Sequence, residues 1–174
     1  MATPTNLPAS QTTGNVLTAA YVNDLRGAFR ILQVVSVSST TSYTTTSNYP
    51  QLPGLNATIT PQSTTSKILV VANLATWLTA GTNTNKIGLY GLSVGSGSTT
   101  SIHKIRWSSN ATGNTDLFGT NNMEVLHSPA STSAQIYNVL YGRYSGTFDN
   151  TVGLSGDANG VNANCTLTLY EVSA

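Results

Sequence analysis

The two histidines are the first residues to consider for chemistry, because His is the side chain most often used as a general base. His103 alternates with Lys104 and Ile105 in a strand-like segment, and His127 ends another such segment. A catalytic pair would also need a nucleophile and a carboxylate fixed beside it. We therefore expect both histidines to be ordinary strand residues, and we predict that the protein is not an enzyme.

The carboxylates give a second chemical possibility, because two of them could converge as a glycosidase pair. The chain has only six, however, and Asp116, Glu124, Asp149 and Asp157 are well separated in sequence. The turn that begins at Asp157 lacks the spaced ligands and the terminal Glu of an EF-hand. An Asx turn explains it better, so neither hydrolase activity nor a metal or other cofactor is predicted.

Cys165 is the only cysteine, so the chain cannot form an intrachain disulfide. It alternates with Leu167 and Leu169, which is the period of a half-buried strand. We expect an inert thiol in the core rather than a reactive one.

The aromatic residues in or beside strands are expected to pack in the core, with one candidate exception. Tyr141, Arg143 and Tyr144 lie within four residues. Tyrosine rings and an arginine fork could bind a glycan by stacking and hydrogen bonding. These three residues are the candidate glycan contact.

The composition excludes several classes of protein. Only 7% of the residues are charged and the net charge is +1, whereas about 25% is usual in a soluble domain. Phosphate binding needs clustered Lys and Arg, and the seven here are scattered, so no nucleic-acid partner is expected. No apolar run is long enough to span a membrane, and the N-terminus lacks the pattern of a signal peptide. Synthesis in a cytoplasm is therefore expected.

The period of the hydrophobic residues indicates a mainly β fold. Ser, Thr and Asn make up 65 of the 174 residues, and short apolar runs with turn residues between them predict strands. The predicted strands are 31–38, 42–47, 55–60, 66–79, 86–94, 101–109, 121–128, 134–145 and 164–172. This spacing favours an antiparallel β-sandwich or jelly roll over residues 31–174, with 66–79 as a central strand because it is apolar on both faces.

Residues 1–30 differ from the rest. Residues 1–16 contain Pro4 and Pro8 without periodicity, which predicts an extended arm. One short helix over 17–30 follows, because Val22, Leu25, Phe29 and Leu32 recur at spacings of three, four and three. Such a short helix is marginal alone. Its apolar seam could cover its own β-domain or could join the same helix of identical chains.

Three stretches carry a resemblance to a known family: NVLTAAYVNDLRGAFRILQVVS, LNATITPQSTTSKILVVANL and CTLTLYEVSA. They resemble small bacteriophage virion proteins, described as minor tail or short tail-fibre proteins, with related β-domains in head fibres and capsid decoration proteins. The resemblance covers most of the chain from about residue 15. It implies a trimeric β-domain attached to a phage particle by its N-terminal segment, and it implies no catalytic residues.

The sequence and the resemblance together predict a virion structural protein. Residues 1–16 would dock on another virion protein, and Val22, Leu25, Phe29 and Leu32 would contribute to a homotrimer. The chain could be a capsid decoration or head-fibre protein or a short tail fibre. The alternatives are a tail-tip receptor-binding protein that recognises a host surface glycan, and a free carbohydrate-binding module.

Overall fold

The structure, a computed structural model, describes residues 30–45, 49–78, 86–98, 100–109, 117–145, 150–153 and 164–173. Every regular element in these ranges is a β-strand. The strands are β1 Ile31–Ser39, β2 Tyr43–Thr45, β3 Gln51–Ile59, β4 Lys67–Leu78, β5 Lys86–Val94, β6 Ser101–Ser109, β7 Leu117–His127, β8 Gln135–Ser145, β9 Asn150–Val152 and β10 Cys165–Val172.

The strands form two antiparallel sheets. The first sheet has the order β1-β10-β4-β9-β2, with β7 paired to β4, and the second has the order β3-β8-β5-β6. The predicted mainly β antiparallel sandwich is therefore confirmed. The central place of β4 is confirmed too, because β10, β7 and β9 all pair with it.

Alternation of side chains places the core between the two sheets. In β10, Cys165, Leu167 and Leu169 are buried, while the threonines between them are only half-buried. The second sheet contributes large residues such as Tyr90 and Tyr137, both fully buried. An inward face of this kind supplies most of the apolar area whose removal from water stabilises a sandwich.

The start of β3 and the existence of β9 differ from the sequence prediction, as does the start of β7 at Leu117 rather than at residue 121. The turn residues of 50–54 predicted a loop, but β3 already begins at Gln51 and pairs with β8. The register shifts between Gln51 and Asn56, and Gly54 has φ +71°, so glycine allows an irregular strand there. The three-residue β9 was not predicted, because so short a segment carries no periodicity.

Residues 30–32 show that one prediction is wrong, namely a helical seam that includes Leu32. Leu32 lies in β1, at the shift of register between Ile31 and Gln33, so it is not part of a helical seam. Arg30 is not helical either. Its N–H donates to Ser173 Oγ at 2.8 Å, and its carbonyl accepts from Ser173 N at 3.0 Å. The arm 1–16, the rest of the predicted helix, and its residues Val22, Leu25 and Phe29 lie outside the described residues.

Candidate functional site

His127 joins the two sheets. Its Nδ1 lies 2.8 Å from the hydroxyl of Tyr137, and the two rings meet edge to face. Burial lowers the pKa of His127 below its ordinary value, and burial raises that of Tyr137. A neutral imidazole bonded to a buried phenol stabilises packing between β7 and β8. The other histidine, His103, is half-buried in β6.

Sequence reasoning missed one motif of catalytic type. Residues 91–95, GLSVG, match the G-x-S-x-G pattern, which marks a nucleophile when the serine sits on a sharp turn between a strand and a helix. Here Ser93 lies within β5 and is fully buried. Its Oγ donates to the carbonyl of Ser98 at 2.9 Å and accepts from Asn138 Nδ2 at 3.4 Å. Ser93 is therefore a structural residue.

A buried carboxyl group was also missed. Glu171 is fully buried in β10, where Oε2 accepts from Gln33 Nε2 and Oε1 accepts from Gln62 N, each at 2.7 Å. Gln33 Nε2 also donates to the carbonyl of Thr60 at 2.7 Å. Glu171 thus links β1 to the connection between β3 and β4. Its inward position, two residues after Leu169, is the signal that could have revealed it.

The part of the chain that the structure describes contains no group of three or more His, Cys, Asp or Glu placed to hold a metal ion. It also contains no helix long and apolar enough to cross a membrane.

Cys165 lies in the core as expected. Its Sγ accepts from Ala75 N at 3.3 Å, and burial raises the pKa of the thiol. Because the thiolate is the reactive form, burial suppresses its chemistry, and the hydrogen bond from Ala75 N opposes the rise in pKa only in part.

We expect the thiol of Cys165 to react with N-ethylmaleimide only when the protein opens. The rate should be at least about 100-fold lower in native protein than in denatured protein. A matched control is Ser38→Cys in a Cys165→Ala background, since Ser38 is exposed on β1. Labelling followed by mass spectrometry measures both rates, and equal native rates would contradict the buried position.

Tyr141, one of the three residues of the candidate glycan contact, is not open to a sugar as the sequence suggested. Tyr141 is only 5% exposed, and burial raises the pKa of its hydroxyl. Its ring packs in the core and offers no open face to a sugar. Arg143 is half-buried, and the side chain of Tyr144 lies outside the described part of the structure, so their contribution stays a prediction.

The outer face of the first sheet carries an apolar band. Val34, Tyr170, Leu69 and Leu126 follow one another across β1, β10, β4 and β7, because each is the register partner of the next. Ile31 and its partner Val172 extend the band. Three inter-strand spacings make it about 14 Å wide. Val34 is 53% exposed, Leu126 54% and Ile31 58%, so the band faces solvent in the single chain.

The middle of the same face is polar and nearly uncharged. Ser36 and Thr168 share a hydrogen bond of 2.9 Å, and Asn73 Nδ2 donates to Thr166 Oγ1 at 3.3 Å. Cross-strand pairs of this kind contribute a few tenths of a kcal/mol up to about 1 kcal/mol each. They place hydroxyl and amide groups on this face, around the register partners Val71 and Glu124.

An aromatic pair lies on the same face, near the end of β4 and the start of β7. Trp77 of β4 and Phe118 of β7 are register partners, with ring centroids 5.3 Å apart and planes 17° apart. Trp77, which was expected in the core, is half-buried here, and Phe118 is 61% exposed. Eight residues along β4 separate Trp77 from Leu69, or about 26 Å. The pair is therefore well separated from the apolar band.

The chain matches no known protein family and no curated protein. Among solved structures, it is similar to a chain in the structure of infectious bursal disease virus, Gt strain. The match has 15% sequence identity and a TM-score of 0.32, and it covers 82% of this chain and 38% of the viral chain. This chain therefore corresponds to well under half of the viral one, and a TM-score this low does not define a shared fold.

Proposed function

We propose that the protein is a structural component of a bacteriophage virion: a small knob, trimeric through its β-domain, that is fixed to the particle by its N-terminal segment. It would serve as a capsid decoration or head-fibre protein or as a short tail fibre. The virion class comes from the sequence resemblance. The observation that carries the assembly is the exposed apolar band on the first sheet.

The size of the apolar band and the low charge of the face around it favour self-association. Large contiguous apolar patches are uncommon on monomers and mark interfaces. The face around the band is almost free of charge, with Lys67 and Glu124 as its charged residues among those described. Identical copies could therefore pack on it without burying many unpaired charges.

The attachment of the N-terminal segment supports the same arrangement. The two hydrogen bonds between Arg30 and Ser173 fix the position of Arg30, to which residues 1–29 are joined, next to Ile31 of the apolar band. A docking arm would thus leave each copy beside the proposed contact. Val22, Leu25 and Phe29 would add a second contact if the helices of the copies pack together.

Light scattering on the purified full chain tests the assembly. We expect three times the 18.2 kDa mass of one chain for the wild type and a monomer for Leu126→Asp, because a carboxylate buried in an apolar contact costs several kcal/mol. The matched control is Asn122→Asp, which lies four residues away on the same face and should stay trimeric. A wild-type monomer or a trimeric Leu126→Asp variant would refute the band as the contact. Leu25→Asp in the same assay tests how much the predicted helix contributes to the stability of the trimer.

Proteomics of purified particles tests the location. The chain should be present in intact particles of the phage that encodes it, in many copies for a decoration protein and in few for a tail-tip protein. Its absence from the particles would refute the virion role.

A further inference from the structure

We propose that the Trp77–Phe118 pair is a stacking site for a neutral glycan, distinct from Tyr141, Arg143 and Tyr144. A role of this site in host attachment rests on the proposed function, whereas the binding of a glycan to the pair does not. The pair combines an open aromatic face, a fixed position and neutral polar neighbours.

The open face follows from the geometry of the pair. Stacking on Trp77 occupies one face of the Phe118 ring. Because Phe118 is still 61% exposed, the opposite face lies open to solvent. The face of an aromatic ring is negative, so it attracts groups that carry partial positive charge. The C–H groups on one side of a pyranose ring are such groups, and they also gain from leaving water.

Hydrogen bonds and packing of neighbouring residues hold the backbone next to the two aromatic residues. Asn121 Nδ2 donates to Thr76 Oγ1 at 2.7 Å, and Thr76 Oγ1 donates to the carbonyl of Gly119 at 3.1 Å. The ring of Trp107 packs so closely on Gly119 that an added Cβ would lie 2.8 Å from it. These contacts hold the backbone of β7 directly after Phe118 and that of β4 directly before Trp77. A ligand that binds a rigid platform loses less free energy to ordering the protein.

The neighbours of the pair favour an uncharged ligand. Thr120 and Asn122 are exposed next along the outer face of β7, and Asn73 is exposed on β4. Hydroxyl and amide groups can donate to and accept from sugar hydroxyls. Among the residues that the structure describes, the nearest charged one on this face of β7 is Glu124, six residues from Phe118 or about 20 Å along the strand. A sialylated or phosphorylated glycan would find no cation among these neighbours.

The pair lies at the end of the sheet opposite to the N-terminal attachment. Arg30 is bonded to Ser173, and Val172 before it pairs with Lys67 at the start of β4. Trp77 is ten residues farther along β4, or about 33 Å. If residues 1–29 attach the knob to a particle, the aromatic pair points away from it. The apolar band is about 26 Å distant, so copies that meet on the band leave room for a ligand here.

Saturation-transfer NMR and tryptophan fluorescence on the full chain test the site. The probes are maltotriose, lactose and N,N′,N″-triacetylchitotriose, with sialyllactose as the charged comparison. We expect at least one neutral probe to bind the wild type with a millimolar Kd, and sialyllactose to bind no better than lactose. Phe118→Leu keeps apolar bulk without an aromatic face and should raise the Kd at least tenfold. Phe118→Tyr keeps the ring and should bind within about threefold of the wild type.

Each outcome decides the proposal. Absence of binding for all three neutral probes overturns it, and so does binding that Phe118→Leu leaves unchanged. If Phe118→Leu instead dissociates the oligomer in light scattering, the pair is a subunit contact and the proposal fails. An intact trimer that binds no neutral probe overturns this inference alone. A monomer whose sugar binding depends on Phe118 overturns the proposed assembly alone.

Discussion

Gly153→Ala should destabilise the protein by at least about 3 kcal/mol. Gly153 is buried after β9, has φ +79° and donates its N–H to the carbonyl of Ala75 at 2.9 Å. A Cβ there would overlap the carbonyl oxygen of Thr41. The cost has two parts: an L-residue is strained at this φ, and a backbone atom, unlike a flexible side chain, cannot move aside cheaply.

Gly97→Ala is the control that separates these two parts. Gly97 has φ +68°, but an added Cβ there would meet nothing within 4 Å. The variant should lose only about 1 kcal/mol, the cost of the left-handed conformation. Urea unfolding at one protein concentration measures both, since assembly makes stability depend on concentration. Asn tolerates this φ, so Gly97→Asn should be near neutral, whereas Gly153→Asn should remain as damaging as Gly153→Ala. Equal losses at the two glycines would refute the role of the Thr41 contact.

Glu171→Ala should cost about 3 kcal/mol, because it removes the acceptor for two donors in a buried place. Gln62 N would lose its acceptor, and Gln33 Nε2 would keep only the carbonyl of Thr60. Glu171→Gln keeps the shape but turns an N–H₂ group towards one of the donors, so about 1–2 kcal/mol should be lost.

The matched control is Glu124→Ala, since Glu124 is exposed on β7 and its loss should change stability by no more than about 0.5 kcal/mol. A double-mutant cycle of Glu171→Ala with Gln33→Ala then isolates the side-chain bond. A coupling free energy of at least about 1 kcal/mol is expected for a pair in direct contact. Additive losses would show that the two side chains act separately.

Much of the strand pattern was predictable because it depends on neighbours in sequence. The predicted bounds 86–94 and 101–109 are those observed for β5 and β6, and the two strands pair with each other. Alternation of apolar residues also placed Cys165 in the core. Local signals failed where pairing between distant strands decided the structure. The turn residues before Leu55 belong to β3, which begins at Gln51, the register partner of Leu140 in β8.

The candidate site was less predictable than the fold. Trp77 was expected in the core, because an aromatic residue in an apolar run usually packs inward, and Phe118 fell before the predicted start of its strand. Tyr141 was considered for glycan contact because of its residue type and its closeness in sequence to Arg143 and Tyr144, whereas its inward position buries it. An alternating pattern predicts two faces of a strand but does not tell which residues of other strands share a face.

The sequence by itself determined that the chain is mainly β, that its polar groups are almost all uncharged, and which positions alternate inward. These properties follow from residue types and from the two-residue period of a strand. Only the tertiary structure decided that Val34, Tyr170, Leu69 and Leu126 form one band and that Trp77 meets Phe118. Such neighbours are set by the order and register of strands distant in sequence, and a shift by one residue would place every one of them on the opposite face.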